Sequence, residues 1–214
     1  IFFSVQTLAT IGYGKLVPAT RLANVLVAIE ALFGLLGFAV LSGLLFARFT
    51  RPTARIAFSR HALIAPYQDG WALMFRLANL RNHNLTDVRA VVTVARWVDD
   101  TGGRRRRFDQ LELERPSIIF MPLHWTVVHP ITPSSPLAGL TPASLEAAAP
   151  EVVCLISADD ETFAQTVHAK TSYDKGDLVW GGRFVDMYLP DADKVAIDLT
   201  RLHEIERLGG PATL

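Results

Sequence analysis

The feature that most constrains this chain is an apolar stretch of roughly 25 residues, at positions 22–46. Glu30 is its single charged residue. As an α-helix, the stretch would be roughly 37 Å long, which is enough to cross a bilayer with some tilt. The alternative is a buried helix of a soluble protein, and few such helices are this long. The stretch therefore predicts one membrane-spanning helix.

The arginines around the span predict its orientation. Only Lys15 and Arg21 precede it closely, whereas three arginines follow it: Arg48, Arg51 and Arg55. Cytoplasmic flanks of membrane spans carry an excess of Lys and Arg. The C-terminal side is therefore predicted to be cytoplasmic, and the chain divides into a membrane part at residues 1–51 and a cytoplasmic part at residues 52–214.

After Pro52 the sequence changes to short alternating segments separated by polar turns. Alternation of apolar and polar residues predicts strands. The predicted strands are residues 71–80, 88–98, 108–113, 118–128, 152–157, 165–173, 178–188 and 195–199. Thr141 followed by Pro142 predicts a short helix that runs to Ala148. Many short strands with polar turns indicate an all-β sandwich of immunoglobulin-like shape.

Composition argues against several other classes. Lys plus Arg and Asp plus Glu both number 21, so net charge gives no reason to expect a nucleic-acid partner. The single cysteine, Cys154, excludes an intrachain disulfide framework and a zinc site built from several cysteines. After His203 and Glu204, the position of a zinc protease's second histidine holds Arg207. We therefore expect no catalytic residues, no cofactor and no enzymatic activity.

Residues 7–14 read Thr-Leu-Ala-Thr-Ile-Gly-Tyr-Gly and stand shortly before the span. A K⁺ ion must lose its water to be selected, so a selective pore needs closely spaced rings of oxygen atoms. Four chains that present the carbonyls of residues 10–13 toward one axis would build such rings. Gly12 and Gly14 reach the backbone angles that this requires. The apolar residues 2–9 would form a short pore helix that holds the loop at membrane depth.

The motif thus predicts a selectivity filter in a homotetramer, with K⁺ as the permeant ion. Its residues are Thr10, Ile11, Gly12, Tyr13 and Gly14. K⁺ would bind at Thr10, Ile11, Gly12 and Tyr13, and the Thr10 hydroxyl would add a further oxygen. The alternative for the motif is a surface turn. The alternative for the whole chain is a single-span receptor with a ligand-binding sandwich, which leaves the motif unexplained.

Several segments resemble the inward-rectifier potassium channels, in particular their bacterial branch. They are ARFTRP (47–52), FSRHALI (58–64), LMFRLANLR (73–81), HPITPSSPL (129–137) and AKTSYDKGDLVWGGRF (169–184). The resemblance implies an α-helical potassium-channel pore in the cell (plasma or inner) membrane and a cytoplasmic β-sandwich regulatory domain. It groups the chain with voltage-gated channels. It also implies an outer helix and a slide helix before Ile1, so we interpret the sequence as a fragment of a multi-pass protein.

The resemblance assigns roles within the span. Gly34 takes the place of the glycine hinge, and Phe46 that of the gate at the inner-helix bundle crossing. Phe38 takes the position that is acidic in strong rectifiers, so we expect weak rectification. Phe38, Ser42, Leu45 and Phe46 share one helical face, which fits a pore-lining surface. Phenylalanines that simply face lipid are the alternative.

Three polar residues flank the predicted filter. A carboxylate inside the membrane needs a partner or a proton, and we expect Glu30 to brace the filter of its own or a neighbouring subunit from behind. A purely structural role is the alternative. Gln6 also lies behind the filter, where many relatives carry Glu. Lys15 follows the filter, where bacterial relatives usually have Asp, and nothing in the sequence explains this positive charge.

Two further sites come from the resemblance. It implies a site for anionic or phosphoinositide lipids at Arg48, Arg51 and Arg55. Arginines that only reach toward lipid headgroups are the alternative. The loop at residues 158–164 matches the constriction of the cytoplasmic pore, where Asp159, Asp160 and Glu161 are expected to attract cations. Simple solvation of acids in a turn is the alternative there.

Overall fold

The computed structural model contains two compact units, Ile1–Arg51 and Pro52–Leu214. We describe each unit by itself. The residues that the structure describes are 1–49, 54–81, 84–100, 103–121, 123–161, 164–189 and 196–207.

The first unit holds two helices. The short helix α1 spans Phe2–Leu8, and the 29-residue helix α2 spans Arg21–Phe49. Thr20 caps the start of α2, since its hydroxyl accepts a hydrogen bond from the Ala23 N–H at 3.2 Å. No residue of either helix is buried, and α2 is the one helix in the described ranges that is long and apolar enough to cross a membrane. It contains the whole predicted span.

The second unit is rich in strands. In chain order, the strands among the described residues are β1 (Ile56–Phe58), β2 (Ala62–Tyr67), β3 (Gly70–Asn79), β4 (Leu85–Asp100), β5 (Gly103–Leu111), β6 (Ser117–Met121), β7 (His124–Pro130), β8 (Glu151–Asp160), β9 (Gln165–Tyr173), β10 (Leu178–Trp180), β11 (Gly182–Phe184) and β12 (Ile205–Arg207). The helix α3 spans Pro142–Ala148, and a 3₁₀ helix spans Leu199–His203.

The strands form two five-stranded sheets and one two-stranded ribbon. In the first sheet the order is β1-β3-β2-β10, and β7 also pairs with β3. In the second sheet the order is β5-β4-β8-β9, and β6 also pairs with β4. All these pairings are antiparallel except that of β10 with β2. The ribbon joins β11 and β12.

One hydrophobic core lies between the two large sheets. Residues from both contribute to it, among them Phe75 of β3 and Val92 of β4. The Phe75 and Tyr173 rings pack with their centroids 5.3 Å apart. Cys154 of β8 is fully buried in this core, where burial raises the pKa of its thiol to about 12. The unit therefore folds around apolar strand faces that meet in its interior.

The structure corrects three of the predicted strands. The single strand predicted at residues 118–128 is in fact two strands, β6 and β7, which belong to different sheets. Pro122 stands between them in the sequence, and proline cannot donate to a strand ladder. The single strand predicted at residues 178–188 is interrupted at Gly181, where φ is +64°, and the structure has two short strands there, β10 and β11.

The prediction at residues 195–199 is wrong. Residue 195 lies outside the described ranges. Ile197 makes only an isolated bridge with Tyr188, and Leu199 begins the 3₁₀ helix. The short helix α3 has its predicted bounds, and the Thr141 hydroxyl caps it by accepting the Ser144 N–H at 3.2 Å.

Candidate functional site

The backbone of the predicted filter alternates in handedness. The φ angle is +58° at Thr10, +56° at Gly12 and +76° at Gly14, whereas Ile11 and Tyr13 have no positive φ. In an extended strand with negative φ throughout, successive residues face opposite sides. When the sign of φ changes at every second residue, alternate peptide planes are turned over, so that consecutive carbonyls lie on one side. This backbone is suited to presenting a row of carbonyl oxygens.

Hydrogen bonds to α1 anchor the start of this segment. The Thr10 N–H donates to the Thr7 carbonyl at 3.0 Å, and the Ile11 N–H donates to the Gln6 carbonyl at 2.8 Å. A left-handed backbone at a non-glycine residue such as Thr10 costs about 1–3 kcal/mol and is characteristic of functional sites. Gln6 is half-buried on α1. Its predicted position behind the filter stays a prediction.

Gly34 is the point where α2 lies against α1. A Cβ atom built at Gly34 would overlap the Leu8 carbonyl oxygen and would lie 3.0 Å from the Leu8 carbonyl carbon. By contrast, a Cβ at Gly37 or Gly43 would meet nothing within 4 Å. Gly34 therefore lets the two helices approach closely, as small residues within a span can, and its role as a hinge stays a prediction.

The predicted pore-lining face of α2 is exposed in the single chain. Phe38 is 72% exposed and Phe46 is 71% exposed, and Ser42 and Leu45 are also exposed. The opposite face is equally open; Leu44, for example, is 65% exposed. Exposure in one chain therefore does not distinguish pore-lining from lipid-facing side chains, and the assignment rests on the shared helical face.

Glu30 is the one acidic residue in the first 51 residues. It is half-buried on α2, and its carboxylate makes no hydrogen bond or ion pair with any other described residue. A carboxylate at this depth requires a partner or a proton. The described residues of the single chain offer no such partner, so the bracing of the filter by Glu30 stays a prediction.

Two of the three arginines of the predicted lipid site, Arg48 and Arg55, lie within the described residues. Arg48 is exposed in the last turn of α2. Arg55 is exposed before β1, and its carbonyl accepts a hydrogen bond from the Leu80 N–H at 2.9 Å. Arg51 lies outside the described residues. Exposure leaves the charges of Arg48 and Arg55 available to an anionic partner.

The predicted acidic constriction needs a correction. Residues 158–160 are not a loop but the end of β8, which runs to Asp160. Asp160 is 1% exposed and forms an ion pair with Arg81 at 2.9 Å. Asp159 is exposed and accepts a hydrogen bond from the Thr166 hydroxyl at 2.8 Å, and Glu161 is exposed. Of the three acids, Asp160 is therefore structural and cannot attract cations from solvent.

The sequence reasoning missed Arg81. It follows β3 in the chain, and its guanidinium reaches a carboxylate at the end of β8 in the other sheet. A charged pair of this kind, with Arg81 16% exposed, stabilises only if both partners are present. A signal was available, because Asp160 lies at an inward-facing position of the alternating pattern of β8.

Two histidines of the second unit have lowered pKa values. His129 is 3% exposed, and its ring nitrogens contact the Glu112 carbonyl at 2.5 Å and the Ser135 hydroxyl at 2.8 Å. Burial lowers the pKa of His129. Burial, and secondarily the charge of Arg76, lower the pKa of His124, whose ring packs edge-on against Tyr188. Neither histidine was predicted to have a role.

The structure holds no conventional metal site in its described residues, since no three His, Cys, Asp or Glu side chains converge there. Any cation site in this part of the chain would have to use backbone or hydroxyl oxygens. The segment at residues 10–14 is the place where the backbone geometry offers them.

Two family models match the chain. The one described as "Inward rectifier potassium channel C-terminal domain" matches residues 56–213, and the one described as "Ion channel" matches residues 1–51. The chain is 45% identical over 207 residues to "Inward rectifier potassium channel Kirbac3.1" of Paramagnetospirillum magnetotacticum, a match that covers 95% of this chain and 70% of the relative.

Mammalian relatives match at lower identity. The chain is 28% identical to human "Inward rectifier potassium channel 4", with 97% of this chain and 49% of the relative covered. It is also 28% identical to bovine "G protein-activated inward rectifier potassium channel 1", with 94% and 42% covered. The chain thus spans about half or less of these mammalian relatives.

A solved structure of the sporulation control protein Spo0M from Bacillus subtilis matches with a TM-score of 0.30 and 9% identity, covering 60% of this chain and 50% of that one. A likeness at that score carries no argument. The relatives are named as inward rectifiers and not as voltage-gated channels. The grouping with voltage-gated channels therefore has no support from the relatives.

Proposed function

Because the chain belongs to the inward rectifier potassium channel family, and is accordingly not an enzyme, we propose that it conducts K⁺ passively through a pore in the cell membrane. The observation that carries this proposal is the alternation of φ at Thr10, Gly12 and Gly14, which suits a row of K⁺-binding carbonyls. Ions would bind at the carbonyls of residues 10–13, with the Thr10 hydroxyl at the inner end.

The pore is a homotetramer in this proposal. One chain offers a single row of carbonyl oxygens, and a dehydrated K⁺ needs oxygens from all sides. A closed ring of four chains around an axis provides them. Exposure of the segment at residues 9–17 in the single chain is in keeping with a surface that other copies cover. A single-span receptor, the alternative, is not favoured by the family.

The β-rich second unit is the cytoplasmic regulatory domain in this proposal, a sandwich of immunoglobulin-like shape. The arginine excess after the apolar stretch at residues 22–46 supports its cytoplasmic location. The domain would be coupled to a gate at Phe46, where four phenyl rings exclude water from the inner end of the pore. Arg48, Arg51 and Arg55 would bind anionic or phosphoinositide headgroups, because they follow the span directly in sequence.

Rectification is proposed to be weak. A multivalent cation inside a low-dielectric pore is stabilised by carboxylates, and Phe38 offers none. Asp159 and Glu161 would attract blocking cations in the cytoplasm, where solvent screens them more strongly.

The test is K⁺ flux from liposomes that contain the purified full-length protein, with Na⁺ flux and Ba²⁺ block measured in parallel. We expect flux that is selective for K⁺ and blocked by Ba²⁺. The control is Gly12→Ala, which places a side chain at a φ of +56° and should abolish the selectivity. A tetrameric native protein that passes Na⁺ and K⁺ equally well would contradict the proposal, and so would a protein that is monomeric or dimeric in mild detergent.

A further inference from the structure

The segment that joins the predicted filter to α2 is positively charged. Residues 15–21 contain Lys15 and Arg21 and no acidic residue. Lys15 is exposed, and its ammonium group has no ion-pair partner among the described residues. Glu30, the one carboxylate of this unit, lies about nine residues, or roughly 13 Å, along α2 from Arg21. Among the described residues of this unit, no carboxylate is therefore paired with Lys15.

Lys15 is also close to the filter in the chain. It follows Gly14 directly, and Gly14 alone lies between Lys15 and Tyr13, which limits the distance between the Cα atoms of Lys15 and Tyr13 to about 7 Å. The screening length in physiological salt is about 8 Å. Charges on Lys15 in four copies would therefore act on an ion that approaches the outermost carbonyls.

We propose that the four Lys15 side chains form a ring of positive charge at the outer mouth, which lowers the local concentration of external cations and shields the filter from external divalent cations. This inference rests on the proposed channel function and on its orientation, with α2 starting on the outer side. The ligand class that the ring acts on is the hydrated inorganic cation, and its effect increases with the charge of that cation.

The physical argument fixes how the effect depends on valence. A potential at the mouth changes the local concentration of an ion by a Boltzmann factor whose exponent is proportional to the ion's charge. The factor for a divalent cation is therefore the square of the factor for K⁺. We take the dielectric constant of water, ordinary salt screening and four positive charges about 10 Å from the ion. The local K⁺ concentration is then lowered about threefold at 0.1 M salt and roughly sevenfold at 0.01 M salt.

The experiment uses single-channel recording of the full-length tetramer, with external K⁺ and Ba²⁺ as probes. Native protein is compared with Lys15→Gln, which removes the charge, and with Lys15→Arg, which keeps it. In low salt, Lys15→Gln should raise the inward K⁺ conductance several-fold and raise the apparent affinity of external Ba²⁺ by about the square of that factor. Lys15→Arg should behave as the native channel does, and all differences should shrink in 0.5 M salt.

The chain offers a second control. Its only cysteine, Cys154, is fully buried with a raised pKa, so its thiol is unreactive. Among residues 1–214, a thiol reagent applied outside Lys15→Cys channels should therefore modify position 15 alone. A positively charged reagent should restore native conductance and block, a negatively charged one should exceed the effect of Lys15→Gln, and native channels should respond to neither.

Each outcome decides the matter. If native and Lys15→Gln channels have equal conductance and equal Ba²⁺ block at low salt, the inference is overturned. If those channels are still selective for K⁺, the proposed function stands. A difference that persists in high salt, or one that is the same for K⁺ and Ba²⁺, also overturns it, since neither is electrostatic. A native protein without K⁺-selective current fails the proposed function instead.

Discussion

The carbonyl group of Leu8, at the end of α1, lies directly against the backbone of α2 at Gly34. A Cβ at Gly34 would overlap the Leu8 oxygen and would lie 3.1 Å from the Leu8 Cα. The contacting atoms are backbone on both sides, so they cannot move aside as a flexible side chain does. The filter segment begins two residues after Leu8. Gly34 thus sets the distance between α2 and the start of that segment.

Gly34→Ala should lower K⁺ flux and destabilise the assembled protein by about 1–3 kcal/mol, because the added methyl group forces α1 away from α2. Gly37→Ala is the matched control, since a Cβ there meets nothing within 4 Å. Liposome flux and the thermal stability of the purified protein are the measurements. If both alanine variants behave alike, the Leu8 contact does not position the filter.

Phe46→Ala should raise flux through purified channels several-fold, because smaller side chains let water into the constriction. Leu44→Ala is the control, since residue 44 lies on the opposite face of α2. Liposome flux with an intact Ba²⁺ response measures the effect. Unchanged flux in Phe46→Ala would remove Phe46 from the gate.

Phe38→Asp should convert shallow block by cytoplasmic spermine into steep, voltage-dependent block. The phenyl ring attracts a cation by only about 0.5–2 kcal/mol, and less while the cation keeps its water. Phe38→Asn, which has nearly the shape of Asp without its charge, should stay shallow. Patch recordings with spermine on the cytoplasmic face decide the point, and equal steepness in all three channels means that Phe38 does not line the pore.

Asp160→Asn should destabilise the second unit by about 3–5 kcal/mol, because it removes the buried negative charge that pairs with the Arg81 guanidinium at 2.9 Å. Asp159→Asn, one residue away and exposed, should cost less than about 1 kcal/mol. All four tryptophans lie in this unit, so intrinsic fluorescence during urea unfolding reports its stability. A similar loss in both variants would contradict the buried ion pair.

The second unit should lose stability as the pH falls from 7.5 to 5.5. The pKa values of His124 and His129 are lowered, chiefly by burial, from the value of about 6.5 in the unfolded chain. Their contribution is fully present above that pH and is lost below it, because the unfolded state takes up protons first. His124→Phe should show a smaller decrease in the urea midpoint between these pH values. An unchanged decrease would assign the effect to other groups.

Local pattern was enough to predict the elements that depend on neighbours in sequence. The apolar stretch at residues 22–46 lies within α2, and the alternation at residues 165–173 predicted the bounds of β9. Thr141 and Pro142 predicted α3, because capping is decided within one helical turn. The Gly-Tyr-Gly motif drew attention to residues 12–14, and the positive φ angles at Gly12 and Gly14 are a local property of glycine.

Tertiary contacts decided what the sequence could not show. Residues 118–128 form strands in two different sheets, because each strand pairs with a partner that is remote in sequence. Asp160 is buried since β8 brings it to Arg81, 79 positions away in the chain. The contact of Gly34 with Leu8 depends on the packing of α1 against α2. The sequence by itself determined the apolar span, the filter motif and most strand positions, because hydrophobic periodicity and glycine geometry are local. Strand pairing, the burial of Asp160 and the close approach of the two helices were decided only by the folded chain, because they depend on residues that only folding brings together.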